Sequence, residues 1–195
     1  MKKATITGLL ALATIGALTA QNTTWNLDKS HSSINFAIDH LIISETTGKF
    51  TDYAVNAKSD KPDFTDVVFD FTAQVNSINT ADEKRDDHLK GPDFFDAAKH
   101  PTIIFKGKKF VKVKGNNYKV YGELTMHGVT KSIVFNARFG GIVKDPWGGT
   151  RAGLKIWGDI DRYDFGLKYN SVLEAGGLSI GQTVRISCNI ELIKK

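Results

Sequence analysis

The chain has 195 residues, enough for one domain or two small ones. Its 26 basic and 21 acidic side chains give a formal charge of +5. They are scattered rather than gathered in a stripe, which argues against a nucleic-acid surface. The single cysteine, Cys188, excludes an internal disulfide framework and a multi-thiolate zinc site.

Lys2 and Lys3 open the chain, and Ile6 to Leu18 is apolar or small and carries no charge. Leu18-Thr19-Ala20 then offers a small residue ahead of Gln21. This is the layout of a secretory signal peptide over residues 1–20, with a mature, exported domain over residues 21–195. The apolar run falls short of the roughly 20 residues of a membrane span. Loss of the two lysines lowers the formal charge from +5 to +3.

Two-residue alternation dominates the rest. Ile34, Phe36 and Ile38 alternate with polar neighbours, and Val67, Phe69, Phe71, Ala73 and Val75 form a second row. Further rows are Tyr118, Val120, Leu124 and Met126; Ile133, Phe135, Ala137 and Phe139; Leu154, Ile156 and Ile160; and Val184, Ile186, Cys188, Ile190 and Leu192. Such rows predict half-buried antiparallel strands, about eight of them. The longest are expected over residues 33–42, 67–76 and 182–193. Turns are expected at 114–117, at His127-Gly128, at Gly140-Gly141 and at 146–149. In the run Lys106, Lys108, Lys109, Lys112 and Lys114, the cations belong on the solvent face.

One segment departs from alternation. Thr80 with Glu83 has the spacing of a capping box and predicts a short helix over residues 81–89, ended by Gly91-Pro92. A second helical turn is expected over residues 93–99. About eight strands with one apolar face could form a sandwich or a closed barrel, and the length of several of them favours an elongated barrel, since closure removes the edges. A membrane barrel would need an apolar outside and a polar lumen, and the lysine-bearing face and the helix argue against it.

Several short motifs stand in one order along the chain. They are Trp25-Asn26-Leu27-Asp28-Lys29-Ser30-His31-Ser32; Gly48-Lys49-Phe50; Ser77-Ile78-Asn79-Thr80 before Arg85-Asp86-Asp87-His88-Leu89; Phe94-Phe95-Asp96 before residues 100–105; the segment 122–131; Asp161-Arg162-Tyr163-Asp164-Phe165-Gly166-Leu167; and Gly181-Gln182-Thr183-Val184. This set resembles the YceI-like family of polyisoprenoid-binding, lipocalin-like periplasmic proteins, and the resemblance covers nearly all of residues 21–195. It departs at Gly107 and in the turn 145–149, neither on the apolar face.

The resemblance implies an extended eight-stranded antiparallel lipocalin-like barrel with one or two short helices, in the periplasm. It also implies a pore holding a polyprenyl chain or the tail of an isoprenoid quinone, as ligand and not as cofactor. Candidate pore residues are Ile34, Phe36, Ile38, Phe50, Phe69, Phe71, Ile103, Phe105, Leu124, Met126, Phe135, Phe139, Leu154, Ile156, Phe165, Val184, Ile186 and Ile190. His31, Asp86, His88, Arg162 and Asp164 are candidates for the pore mouth and the ligand's head group.

Other readings of the same residues stay open. The five histidines include no pair with metal-ligand spacing on one element, so no metal is expected. A nucleophile set from Ser30 or Ser32 with His88 and Asp86 is conceivable but lacks a nucleophile-elbow sequence, so an enzyme is not expected. A fully packed barrel acting as an interaction module, or as a homodimer, would show the same apolar rows. Cys188, on the inward register, is expected to be buried and inert.

Overall fold

The computed structural model describes residues 23–173 and 176–195; the expected signal peptide, residues 1–20, lies outside them. The strands are β1 (Thr24–Leu27), β2 (Ser33–His40), β3 (Ser44–Phe50), β4 (Tyr53–Lys58), β5 (Val68–Gln74) and β6 (Ile78–Asn79). After helix α1 (Glu83–Lys90) come β7 (Thr102–Lys114), β8 (Asn117–Met126), β9 (Val129–Lys144), β10 (Thr150–Asp161) and β11 (Ile180–Lys194).

They join in the order β1-β4-β5-β7-β8-β9-β10-β11-β2-β3-β6, and β1 also pairs with β11, which closes the ring. The eleven segments amount to eight strands, because three are interrupted. A 3-10 turn at Lys29–His31 separates β1 from β2, with Asp28 accepting from the Ser30 amide. Thr51 and Asp52 separate β3 from β4, and a second 3-10 turn at Val75–Ser77 separates β5 from β6. All pairings are antiparallel, so consecutive strands need only short connections.

Inward positions are apolar and the outer walls are polar. Phe69, Ala73, Ile103, Phe105, Val120, Leu124, Phe135, Leu154 and Ile190 are buried, while Lys106, Lys108, Lys109, Lys112 and Lys114 face solvent. This is the reverse of a membrane barrel. No described helix is long and apolar enough to cross a bilayer.

Three local expectations are corrected. Gly140-Gly141 is not a turn but a bulge inside β9: Gly141 pairs with Gly153 and Phe139 with Leu154, so one extra residue is accommodated. Gly141 adopts φ 105°, which glycine tolerates. The helix starts two residues late, because Asp82 caps it by accepting from the Arg85 amide, while the Thr80 hydroxyl donates to Asp86. Residues 93–99 form consecutive turns, with no second helix.

The two ends of the barrel differ. At one end the loop 59–67 folds beneath the strands and carries Phe64 into the interior, fully buried. Its ring stacks on Phe139 at 4.7 Å and meets Trp25 edge-on at 5.0 Å. Trp25 Nε1 donates to the Ser59 carbonyl at 3.1 Å, and the Tyr118 hydroxyl donates to the Asp63 carbonyl at 2.9 Å. Those bonds fasten the loop, and the apolar side chains beneath it are each worth about 1.5–3 kcal/mol buried. At the other end β6 pairs only with β3. Helix α1, the 91–101 turns and residues 166–173 and 176–179 stand there instead of a closed sheet.

Candidate functional site

The barrel is hollow above the Phe64 floor. A cavity of about 500 Å³ runs up from Ala57, Val67 and Leu192 to the α1 end, where exposed His40, Arg85, His88, Tyr169 and Ser171 form its mouth. The volume falls in the ~300–1,000 Å³ range of small-molecule sites.

A second sign of the hollow lies in the burial pattern. Phe36, Ile38, Phe71, Ile156, Val184, Ile186 and Cys188 are on the inward register yet only half-buried. Inward residues near the floor are buried fully because other side chains face them; these seven face empty space.

Glycines help keep it empty. A Cβ at Gly48 would lie 2.2 Å from the Phe36 ring, at Gly107 3.0 Å from the Phe69 ring, at Gly122 2.4 Å from the Phe105 ring and at Gly158 2.7 Å from the Phe135 ring. Each phenylalanine ring therefore occupies the space beside a glycine on the neighbouring strand. A side chain there would push the ring into the lumen. Phe69 and Phe105 tile at 5.8 Å, and Phe105 and Phe135 at 5.5 Å, extending the apolar lining around the wall.

Of the eighteen predicted pore residues, the structure puts sixteen on the cavity wall: Ile34, Phe36, Ile38, Phe50, Phe69, Phe71, Ile103, Phe105, Leu124, Met126, Phe135, Leu154, Ile156, Val184, Ile186 and Ile190. Phe139 and Phe165 are corrected. Phe139 lies below the cavity, stacked on Phe64. Phe165 is fully buried in the turn after β10, where its carbonyl meets His127 Nδ1 at 3.0 Å. Phe139 is an inward strand residue below the hollow, whereas Phe165 belongs to the 3-10 turn beyond β10 and packs off the wall.

Of the five predicted mouth residues, His88 and Arg162 line the cavity. The His88 ring sits edge-on to Phe94 and Tyr169, both at 4.9 Å, so this aromatic cluster ties α1 to the stretch that follows Gly166. Arg162 is buried, and its guanidinium donates to the carbonyls of Gly181, Leu167 and Ile180. No carboxylate pairs with it among the described residues, and burial pulls its pKa below the usual value. Arg85 behaves alike, donating to the Thr80 hydroxyl and carbonyl. The mouth thus carries two guanidiniums whose direct hydrogen-bond partners are backbone carbonyls and a hydroxyl.

The other three are elsewhere. Asp86 is buried against α1, accepting from the Thr80 amide at 2.8 Å and hydroxyl at 2.6 Å. Asp164 is exposed and pairs with Lys131 at 3.7 Å. His31 lies in the 3-10 turn on the outer wall, with its Nδ1 2.9 Å from Asp28. Arg151 donates to both Asp28 and Glu191 there, so a guanidinium already occupies the space between those carboxylates. The imagined nucleophile set is not assembled: His88 meets Asp93 at 3.4 Å, and the Ser32 hydroxyl bonds at Glu191.

Sequence reasoning missed part of the lining. Val55, Ala57, Ile78, Leu89, Phe94, Phe95, Leu167 and Tyr169 also face the cavity. Those on α1 and on the turns have no alternation to reveal them. Cys188 lies on the wall as well, and burial pushes its thiol up to about 12.

Comparison with known proteins agrees with this architecture. The sequence pattern of the YceI-like domain family matches residues 25–192. The "UPF0312 protein SA2479" of Staphylococcus aureus is 35% identical over 170 residues, covering 87% of this chain and 96% of that protein. The crystal structure of the Campylobacter jejuni YCEI protein is 34% identical, with a TM-score of 0.70 over 87% of this chain and 96% of that one. A polyisoprenoid binding domain from Saccharophagus degradans shares the fold at 17% identity, with a TM-score of 0.62 over 88% of this chain and 98% of that domain. With that match, those identities and a closed eight-stranded antiparallel barrel, the chain belongs to the YceI-like domain family.

Proposed function

We propose that this protein is an exported binding protein that holds a polyisoprenoid lipid, with the tail in the barrel and the head group at the mouth. The observation that carries this reading is the apolar cavity of about 500 Å³, closed by the Phe64 floor and open at the α1 end. Each CH2 taken from water into such a space gains about 0.8 kcal/mol, so a five-carbon isoprene unit gains on the order of 4 kcal/mol. Affinity then needs few polar contacts.

The branched, slender shape of a prenyl chain suits a wall of phenylalanine rings and β-branched residues. The Saccharophagus degradans domain is a polyisoprenoid binding domain with the same fold. At 17% identity that likeness is one of fold, and the case here rests on the cavity. Arg85, Arg162 and His88 supply donors for a quinone carbonyl or a prenyl phosphate. Lys2, Lys3 and the apolar run Ile6 to Leu18 support export, and the resemblance to the family supports the periplasm as its destination. Such a protein would carry, store or shield its lipid.

The test is to purify the protein from its native compartment, extract it with organic solvent and identify lipids by mass spectrometry. A prenyl lipid in near-equimolar amount is expected. An empty extract, together with no binding of an added long-tail quinone, would reject the reading.

A further inference from the structure

We propose that the rim of the cavity mouth is a bilayer-docking surface, through which the lipid passes without crossing water; this rests on the carrier reading above. Two loops form the rim. The first is the tip between β2 and β3, Leu41-Ile42-Ile43, where Ile42 is 69% and Ile43 85% exposed. The second is the segment leading into β11, where Val172 is 80% exposed and Tyr169 41%.

The loops are joined. The Leu41 amide donates to the Ser179 carbonyl at 2.8 Å, and a Cβ at Gly177 would lie 2.6 Å from Ile42 Cδ1. The rim is also continuous with the interior, because Ile38, Tyr169, Ser179 and Ile180 line the cavity. Polar side chains share that mouth, among them His40, Arg85 and His88, so the exposed isoleucines flank a rim that also carries donors for a head group.

Neither exposure nor backbone geometry here is what folding alone selects. Leu41 has φ 52° and Ile42 φ 67°, the left-handed region that turns normally fill with glycine or asparagine. A β-branched residue there is strained by about 1–3 kcal/mol. The sequence therefore holds two isoleucines in water beside the mouth of the hollow, with Ile42 on left-handed backbone.

A bilayer fits this surface better than a protein does. A stable protein interface takes about 20–30 residues a side, and this rim offers a handful of side chains on two loop tips. Interfacial insertion needs only that, since apolar side chains enter about 5–10 Å into the headgroup boundary. The opposite end of the barrel has its own exposed aromatic, Trp147 at 85%, but it stands on a turn held by Asp145 and Arg151 over a closed floor.

Flotation with vesicles of phosphatidylethanolamine and phosphatidylglycerol tests the proposal, with fold checked by circular dichroism. The native protein should float. The triple variant Ile42→Ser, Ile43→Ser, Val172→Ser should lose vesicle partition by about tenfold or more, and Trp147→Ser should not. Uptake of a fluorescent prenyl analogue from vesicles should slow in the triple variant, while uptake from detergent micelles stays the same. Native protein that does not float, a triple variant that floats equally, or a native dimer that the triple variant dissociates would each overturn the proposal. Native protein that floats but takes up no analogue from micelles would reject the carrier reading and leave the bilayer affinity standing.

Discussion

The ring of Phe64 lies on that of Phe139 with centroids 4.7 Å apart, and this stack is the floor on which the hollow of the barrel ends. Phe64 comes from a loop and Phe139 from a strand, so the depth of the cavity is set by a residue outside the barrel wall. Phe64→Ala removes the floor side chain and leaves a void in a fully buried site. Such a truncation costs about 3–5 kcal/mol. Urea denaturation should register that loss, and the surviving folded protein should favour a longer prenyl tail than the native protein does. An unchanged tail preference would mean the floor lies elsewhere.

The phenylalanine–glycine pairs give two outcomes from similar changes. At Gly122 an added methyl would meet both the Phe105 ring at 2.4 Å and the Lys106 carbonyl at 2.5 Å, and the backbone atom cannot swing away. Gly122→Ala should cost about 1–3 kcal/mol as overpacking. At Gly48 the three nearest atoms all belong to the Phe36 ring, which borders the lumen and can turn into it. Gly48→Ala should keep the fold and lower uptake of a prenyl analogue. Melting temperature and binding, measured on both variants, separate the two cases.

The wall was legible in the sequence, and the ends were not. Alternation assigns Phe69, Phe71, Phe135 and Ile156 to the inward face because the strand period is two. It does not say how high along the barrel a residue sits, so Phe139 had the pattern of a lining residue although Phe64 covers it. Phe64 itself lies in the loop 59–67, where no periodicity exists. The polar motifs failed in a similar way. Asp86 and His88 share a helix, but only His88 reaches the cavity, since Asp86 is taken up by Thr80. His31 belongs to a motif at the start of the barrel and lies outside it, because the break at Lys29–His31 turns the ring toward Asp28.

Cys188 reports on the occupancy of the cavity. Its thiol borders the lumen, and burial raises its pKa to about 12. Almost none of it is thiolate at neutral pH, so alkylation by a soluble maleimide should be far slower than for an ordinary thiol with a pKa near 8.5. A bound lipid should slow it further. Cys188→Trp fills space where a ligand would lie, so the variant should fold and bind no prenyl analogue. Normal uptake by a folded Cys188→Trp protein would move the ligand away from this part of the barrel.

The ion network on the outer wall sets a pH optimum for stability. His31 and then Arg151 hold the Asp28 carboxyl down at about 2, against an ordinary 3.8. Asp28 therefore stabilises the fold fully above about 4, and that contribution is lost as pH falls toward 2. Asp28 in turn raises His31 above its ordinary 6.5. The His31 contribution is complete below 6.5 and disappears as pH rises through the raised folded value. Both are present between about 4 and 6.5, so the melting temperature should peak there and decline on either side. His31→Asn should flatten the alkaline decline and shrink the acid one, which persists because Arg151 still holds Asp28 and Asp145. Added salt should weaken the whole effect, since the network is partly open to solvent. A His31→Asn protein whose alkaline limb matches the native one would show that this pair does not set the pH dependence.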